Sequence, residues 1–229
     1  ERLTHQPLSF SVSETTEGVH IHIIDAELMG KGEKEKKDLY IEGVQNNGII
    51  NHYEYIINSE GTIEIRHVLK PEGKMPLWFP RIGLTLTVSD ALDQVKWYGR
   101  GPQENYPDRK TGYPMGIYAS TVQAMYEPYL MPQDYGLRTD VRWLQLTTDK
   151  GIGLQFKMNE WFNFNIYPYS TDNLTKAMYT YQLQKQKGMT LNLDYATTGV
   201  GCTARGVFGA YKAMPQEYRR TISIRPMMK

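Results

Sequence analysis

An all-β fold, a large antiparallel β-sandwich, is predicted by three features of this chain. Short runs alternate apolar with polar residues at the period of a strand, and turn residues separate them. No strand-like run leads into a long amphipathic helix and a second strand, so a β/α barrel is not encoded here.

Taken in order, the runs are 18–24, 39–44, 49–57, 62–69, 81–88, 95–98, 141–147, 152–157, 191–195 and 220–224, rich in β-branched and aromatic residues. Hairpin signals stand at Asn46-Asn47-Gly48, Ser59-Glu60-Gly61 and Asp149-Lys150-Gly151, where Asn and Gly supply the positive φ of tight turns. Sequential hairpins imply antiparallel pairing. One short helix is expected over 171–178, capped by Ser170 or Thr171. The mixed-charge run 31–38 has no apolar anchor and reads as a solvated loop, and 101–140, rich in Pro, Gly and Tyr, reads as a long irregular excursion. No linker or repeat interrupts the chain, so residues 1–229 are read as one domain.

Composition excludes several functions. The 229 residues carry a formal charge of +1, which offers no basic footprint for nucleic acid. Cys202 is the single cysteine, which rules out an internal disulfide and a zinc site of several thiolates. No apolar run approaches the roughly 20 residues that span a bilayer; a soluble protein with no membrane partner is expected, in the cytoplasm or the periplasm.

The most distinctive stretch is the polar loop after the run Val95-Lys96-Trp97-Tyr98-Gly99, namely Arg100-Gly-Pro-Gln-Glu-Asn-Tyr-Pro-Asp-Arg109. Glycoside hydrolysis with retention needs two carboxyl groups about 5–5.5 Å apart, one of them protonated. Glu104 and Asp108 are the tempting pair, but Arg100 and Arg109 flank them and are expected to hold both ionised, leaving no acid. Glu104, Asn105, Asp108 and Arg109 are therefore read as tying down backbone, with Tyr106 packed on the sheet and a sugar-facing role as the alternative. Trp161, in Asn159-Glu160-Trp161-Phe162-Asn163-Phe164-Asn165, alternates aromatic with polar residues as a carbohydrate-facing strand does, and as any half-exposed strand does. Trp97 and Trp143 lie within strand runs and read as core. His20 and His22 share a strand face, but with no third ligand in view they read as a surface pair, and no metal site is assigned.

The string Gly101-Pro-Gln-Glu-Asn-Tyr-Pro-Asp-Arg109, with Phe79-Pro80-Arg81-Ile82-Gly83-Leu84 before it and Met125-Tyr126-Glu127-Pro128-Tyr129, Pro132-Gln133-Asp134-Tyr135-Gly136-Leu137-Arg138, Val141-Arg142-Trp143 and Leu191-Asn192-Leu193-Asp194 after it, resembles the C-terminal domain, or small chain, of family 2 β-galactosidases. The resemblance is dense from about residue 79 onward. It implies a supersandwich of the galactose-mutarotase type, truncated on its N-terminal side, that forms the C-terminal part of a longer multidomain enzyme. It also implies that both catalytic carboxylates sit on a preceding barrel, so that no catalytic residue lies in this chain, which alone would be inert. Partners implied are the other domains of the parent, carbohydrate and further copies of the parent; no cofactor is expected in this chain, and metal use by the parent stays open.

In the family, a Gly-x-Gly-Gly loop and a following Trp shape the sugar-binding mouth. The matching stretch here is Gly199-Val200-Gly201-Cys202-Thr203-Ala204-Arg205-Gly206, with Gly206 where the Trp would stand. Cys202, Thr203, Arg205, Gly206 and the nearby Phe208 are the candidate mouth residues, Arg205 or Phe208 filling the missing ring's space. The plainer reading is an ordinary turn with Gly199 and Gly201 at positive φ. Two other functions compete: an autonomous carbohydrate-binding module, and an aldose epimerase, for which a His and Glu pair is hard to place because every His falls at or before residue 67.

Overall fold

A computed structural model describes residues 3–29, 47–201 and 206–228, and these are all-β and antiparallel, the class the turn spacing predicts. They group into two compact units, residues 1–79 with 214–224 and residues 80–213 with 225–229.

In the first unit, β1 (Leu3–Thr15), β2 (Gly18–Met29), β3 (Gly48–Ile57) and β4 (Ile63–Glu72) form a meander, and β11 (Tyr218–Met227) pairs with β4 from Tyr218 opposite Leu69 to Ile224 opposite Ile63. β1 is a strand that the runs above do not include. Pro7 cannot donate to a ladder, and the β1–β2 register slips between Pro7 and Ser9. Phe10 and Val12 stay exposed on β1, so its ladder to β2 rather than an apolar face holds it. Ile49, Ile56, Ile65, Leu69 and Ile222 form the apolar interior; Asp25, Asn51 and His67 form a buried polar row. The run 39–44, the charged run 31–38 and Asn46 lie outside the described residues.

In the second unit the strand order is β5 (Arg81–Val88), β10 (Met189–Thr197), β9 (Gly153–Tyr167), β8 (Arg138–Thr147), β6 (Gln94–Arg100), β7 (Met115–Thr121). β7 corrects the expectation of an irregular 101–140. Its Gly116, Ala119 and Ser120 carry little strand signal, and pairing with β6 makes it a strand. β9 runs longer than its alternating start at 152–157 suggests. Between β8 and β10 the alternation of burial is lost from Phe162 onward, although the sequence alternates through Asn165, because both faces of the strand are covered there. Trp97, Phe156, Phe162, Phe164, Leu144, Leu146, Leu191 and Leu193 make this core, each contributing about 1.5–3 kcal/mol by leaving water. Trp143 is only half-buried, tilted against Tyr98 at 6.5 Å between ring centroids.

The one α-helix among the described residues, α1 (Thr171–Lys176), starts as expected: Ser170 Oγ accepts from the Asn173 amide at 3.1 Å. Its Leu174 packs with Tyr135 and Tyr167, and Tyr126, Tyr129, Tyr169 and Leu183 cover the cluster. No helix among the described residues is long and apolar enough to cross a membrane.

Candidate functional site

The polar loop leaves β6 with its stem clamped. Trp97 Nε1 donates to the Arg100 carbonyl at 3.1 Å, and Arg100 Nε reaches Asp140 at 2.6 Å while its Nη1 donates to the carbonyls of Lys110 and Tyr113. Arg100 thus serves Asp140 and not the loop carboxylates, contrary to the sequence expectation. The reason lies in β8, where a register irregularity between Arg138 and Val141 turns Asp140, at φ 56, toward Arg100 and Lys110. Burial would raise Asp140, but the hydrogen bonds from Arg100 and Lys110 hold it below the ordinary carboxylate value.

Glu104 is buried at 5% exposure and surrounded by donors. Arg109 Nη2 lies at 2.7 Å, the Gly136 amide at 2.8 Å and the Tyr106 hydroxyl at 3.3 Å, and the Tyr129 hydroxyl donates as well. Desolvation pushes the carboxyl up; the bonds from Tyr129, Gly136 and Arg109 outweigh it and keep Glu104 below the ordinary value. The same surroundings push Tyr129 up to about 12, through burial first and the Glu104 carboxylate second. Tyr106 is buried with Arg109 over its ring at 5.3 Å.

Asn105 is fully buried and closes the loop onto β8. Its amide donates to the Leu137 carbonyl at 2.8 Å, its Nδ2 donates to the Gln103 carbonyl at 3.0 Å, and its Oδ1 accepts from the amide and hydroxyl of Thr139. Asp108 turns elsewhere, Oδ1 accepting from the Val200 amide at 3.0 Å and Oδ2 from the Gly201 amide at 2.6 Å. The signature loop and the glycine loop are thereby joined through one carboxylate. Gly199 is required by space: a Cβ there would stand 2.3–2.5 Å from the Asp108 carboxylate. It is not at positive φ, as the turn reading supposed; Gly201 (φ 67) and Gly206 (φ 63) are. Gly206 faces open space and Phe208 is 69% exposed. Cys202, Thr203 and Arg205 lie outside the described residues.

A cleft of about 400 Å³ opens beside the loop, lined by Gln103, Glu104, Arg109, Tyr113, Glu127, Pro128 and Tyr129, a size within the range of small-ligand sites. Burial and the nearby Glu104 charge raise Glu127 above the usual carboxylate value. Arg138, 3% exposed under the cleft, stacks on Trp97 at 5.4 Å, and burial lowers its guanidinium to about 10 against the pull of Glu127 and Glu104. Chemically this is a polar cleft with one carboxylate locked as an anion. Glu104 and Asp108 each have both oxygens occupied by donors and face different partners.

Trp161 is 58% exposed, with the Arg142 guanidinium 3.5 Å from its ring centroid, so a cation already covers one ring face. The amides beside it point inward, which the alternating sequence conceals. Asn165 is fully buried and donates to Asp134 and the Tyr135 carbonyl, and Asn163 donates to Thr197. Sequence reasoning also missed an ion cluster in which three of the quoted motifs meet: Arg81 Nη2 lies 3.0 Å from Asp134 and 3.4 Å from the buried Asp194. The order of those motifs held the signal, but nothing local pairs them.

In the first unit, strand pairing sets Glu54 beside the two histidines of β2, with Oε1 3.5 Å from His20 Nδ1 and 3.9 Å from His22 Nε2. The third side chain that the sequence left out of view is thus supplied by β3.

A β-galactosidase from Priestia megaterium is 38% identical over 147 residues, which cover 64% of this chain and 14% of that protein. One from Vibrio cholerae is 39% identical over 122 residues, covering 53% of this chain and 11% of that protein. The chain therefore spans a small part of the length of these relatives. A solved GalM/aldose epimerase homologue from C. elegans overlays 96% of this chain and 69% of its own at a TM-score of 0.45 and 11% identity. The family model for the β-galactosidase small chain matches residues 9–224, and the chain belongs to that family.

Proposed function

We propose that this chain is the C-terminal domain of a β-galactosidase-like glycoside hydrolase and shapes one side of its active-site mouth. Retaining hydrolysis of terminal β-galactosides is then carried by two carboxylates on a barrel outside this chain, and this part alone is inert. The parent assembles as a homo-oligomer, and its sugar meets this domain at the mouth loop 199–206.

The observation that carries this reading is the Asp108 grip on the Val200 and Gly201 amides. It ties the mouth loop to a turn that is itself anchored through Glu104 and Asn105. Preorganised loops of this sort hold a substrate in register without taking part in bond breaking. Further support comes from Glu104, whose donors hold its carboxyl below the ordinary value and so unsuited to act as an acid.

The test is Gly199→Ala in the full-length enzyme. Its Cβ would displace the Asp108 carboxylate and cost about 2 kcal/mol in lost charge-assisted hydrogen bonds. The expected result is a Michaelis constant for galactosides that rises several-fold, with a smaller change in kcat. Constants unchanged across several aglycones would remove the loop from the mouth. Cleavage of a chromogenic galactoside by the isolated chain would overturn the division of labour. A carbohydrate-binding module is the second reading, favoured by the exposure of Trp161, and calorimetry of the isolated chain with galactosides would reveal it as saturable heat lost in Trp161→Ala.

A further inference from the structure

We propose that His20, His22 and Glu54 form a binding site for a divalent transition-metal cation on one face of the β2–β3 ladder. The backbone sets it up. Residues two apart on a strand share a face, so His20 and His22 project together from β2. Antiparallel pairing places Glu54 of β3 directly opposite His22, and Arg66 of β4 directly opposite Glu54. One ligand atom from each of the three side chains falls within a sphere where all lie within 4.8 Å of one another.

Those separations fit a shared cation better than direct hydrogen bonds. His20 Nδ1 and His22 Nε2 stand 3.5 and 3.9 Å from Glu54 Oε1, beyond the usual N–H···O length of about 2.7–3.2 Å. Zinc takes imidazole nitrogen and carboxylate oxygen at roughly 2.0–2.2 Å, which puts two ligand atoms of a tetrahedron about 3.3–3.5 Å apart. Closing the remaining gap needs only small side-chain rotations. The His20 side chain is 13% exposed and that of Glu54 26%, so the inner half of the site is already partly desolvated, while His22 at 52% leaves an approach from solvent. Three protein ligands leave a fourth position for water or an external donor.

Arg66 acts as the outer partner. Its Nη1 holds Glu54 Oε2 at 3.1 Å and its Nε holds Glu64 at 2.8 Å. One Glu54 oxygen is thereby fixed by the guanidinium and the other is turned to the histidines, the arrangement that orients ligating carboxylates in metal sites. The Arg66 charge opposes a nearby cation, and Glu64 offsets it. Imidazole and a single carboxylate favour zinc and the neighbouring first-row ions over magnesium or calcium, which prefer oxygen ligands throughout.

Zinc chloride titrated into the full chain by calorimetry tests the site, with thermal unfolding recorded with and without a chelator. One equivalent bound per chain and a chelator-reversible rise in the unfolding midpoint are expected. Both should be lost in His22→Ala and in Glu54→Gln and retained in His5→Ala, which removes a histidine that faces Asp25 rather than Glu54. His22 is half-exposed, so its replacement leaves the fold intact, and matching midpoints of variant and parent in chelator would verify this. Absence of saturable binding, or binding that survives His22→Ala and Glu54→Gln unchanged, overturns the proposal.

Discussion

In the first unit the buried polar row runs from Asp25 through Asn51 to His67, and an amide stands between the carboxylate and the imidazole. Asn51 Nδ2 donates to Asp25 at 2.9 Å, and its Oδ1 lies 3.0 Å from His67 Nε2. In the second unit, buried carboxylates meet guanidinium groups directly: Glu104 meets Arg109, and Asp194 shares Arg81 with Asp134. Burial favours the uncharged form at His67 and at Asp194 alike, with opposite consequences for the pH dependence of stability. With Asn51 bonded to it and Tyr53 stacked at 4.1 Å, burial outweighs the attraction of Asp25 and lowers His67 to about 4. Asp194 is 1% exposed and shares its arginine with the nearer Asp134, so burial raises it to about 6 against the partial pull of Arg81. A buried carboxylate thus stays a strong anion only where, as at Glu104, donors surround it.

The largest effect expected from this contrast comes from removing the fully matched anion. Glu104→Ala strands the Gly136 amide and Arg109 and should cost about 4 kcal/mol in urea unfolding; a loss below about 1 kcal/mol would mean that the loop is anchored elsewhere.

Next comes the acid response of the first unit. His67 is depressed in the fold, so its contribution is complete above the unfolded value of about 6.5 and disappears as pH falls through 4, amounting to about 3 kcal/mol. His67→Gln should flatten the stability profile in that window, and a profile parallel to the parent's would break the comparison.

Slightly smaller and opposite in sign is Asp194. Its raised value means that its contribution is complete below its ordinary 3.8 and is lost as pH rises through about 6, a change of roughly 3 kcal/mol at most. Asp194→Asn should remove that decline, so that between pH 4 and 6 its profile is the steeper riser; a variant that keeps the parent's curve would show that Arg81 satisfies Asp194 in full.

The smallest effect belongs to Gly206→Ala. At φ 63 a Cβ costs about 1 kcal/mol from backbone strain alone, although open space surrounds it. For the same reason a Trp at this position would not be neutral to the fold. Equal midpoints for variant and parent would show that the loop relaxes.

Much of this is legible in the amino-acid sequence. The alternating runs that became β2 to β6 and the Ser170 cap rest on local chemistry that neighbouring residues complete. β1 was missed although Phe10 and Val12 alternate with serines, since Pro7 interrupts the run. β7 was missed because Gly116 and Ala119 carry no strand preference of their own. At the site, the signature string pointed to the correct loop but not to its partners. Arg100 stands near Glu104 in sequence and yet serves Asp140, while Tyr129 and Gly136, far along the chain, complete the carboxylate's shell.

The amino-acid sequence by itself determined the all-β class, most strand positions and the family resemblance, because strand period, turn residues and a long motif are read from adjacent positions. Only the tertiary structure decided which donor each carboxylate meets. Asp108 bonds amides 92 and 93 residues away, and Glu54 meets two histidines through strand register. Such pairings depend on where the backbone returns, and no local propensity encodes that.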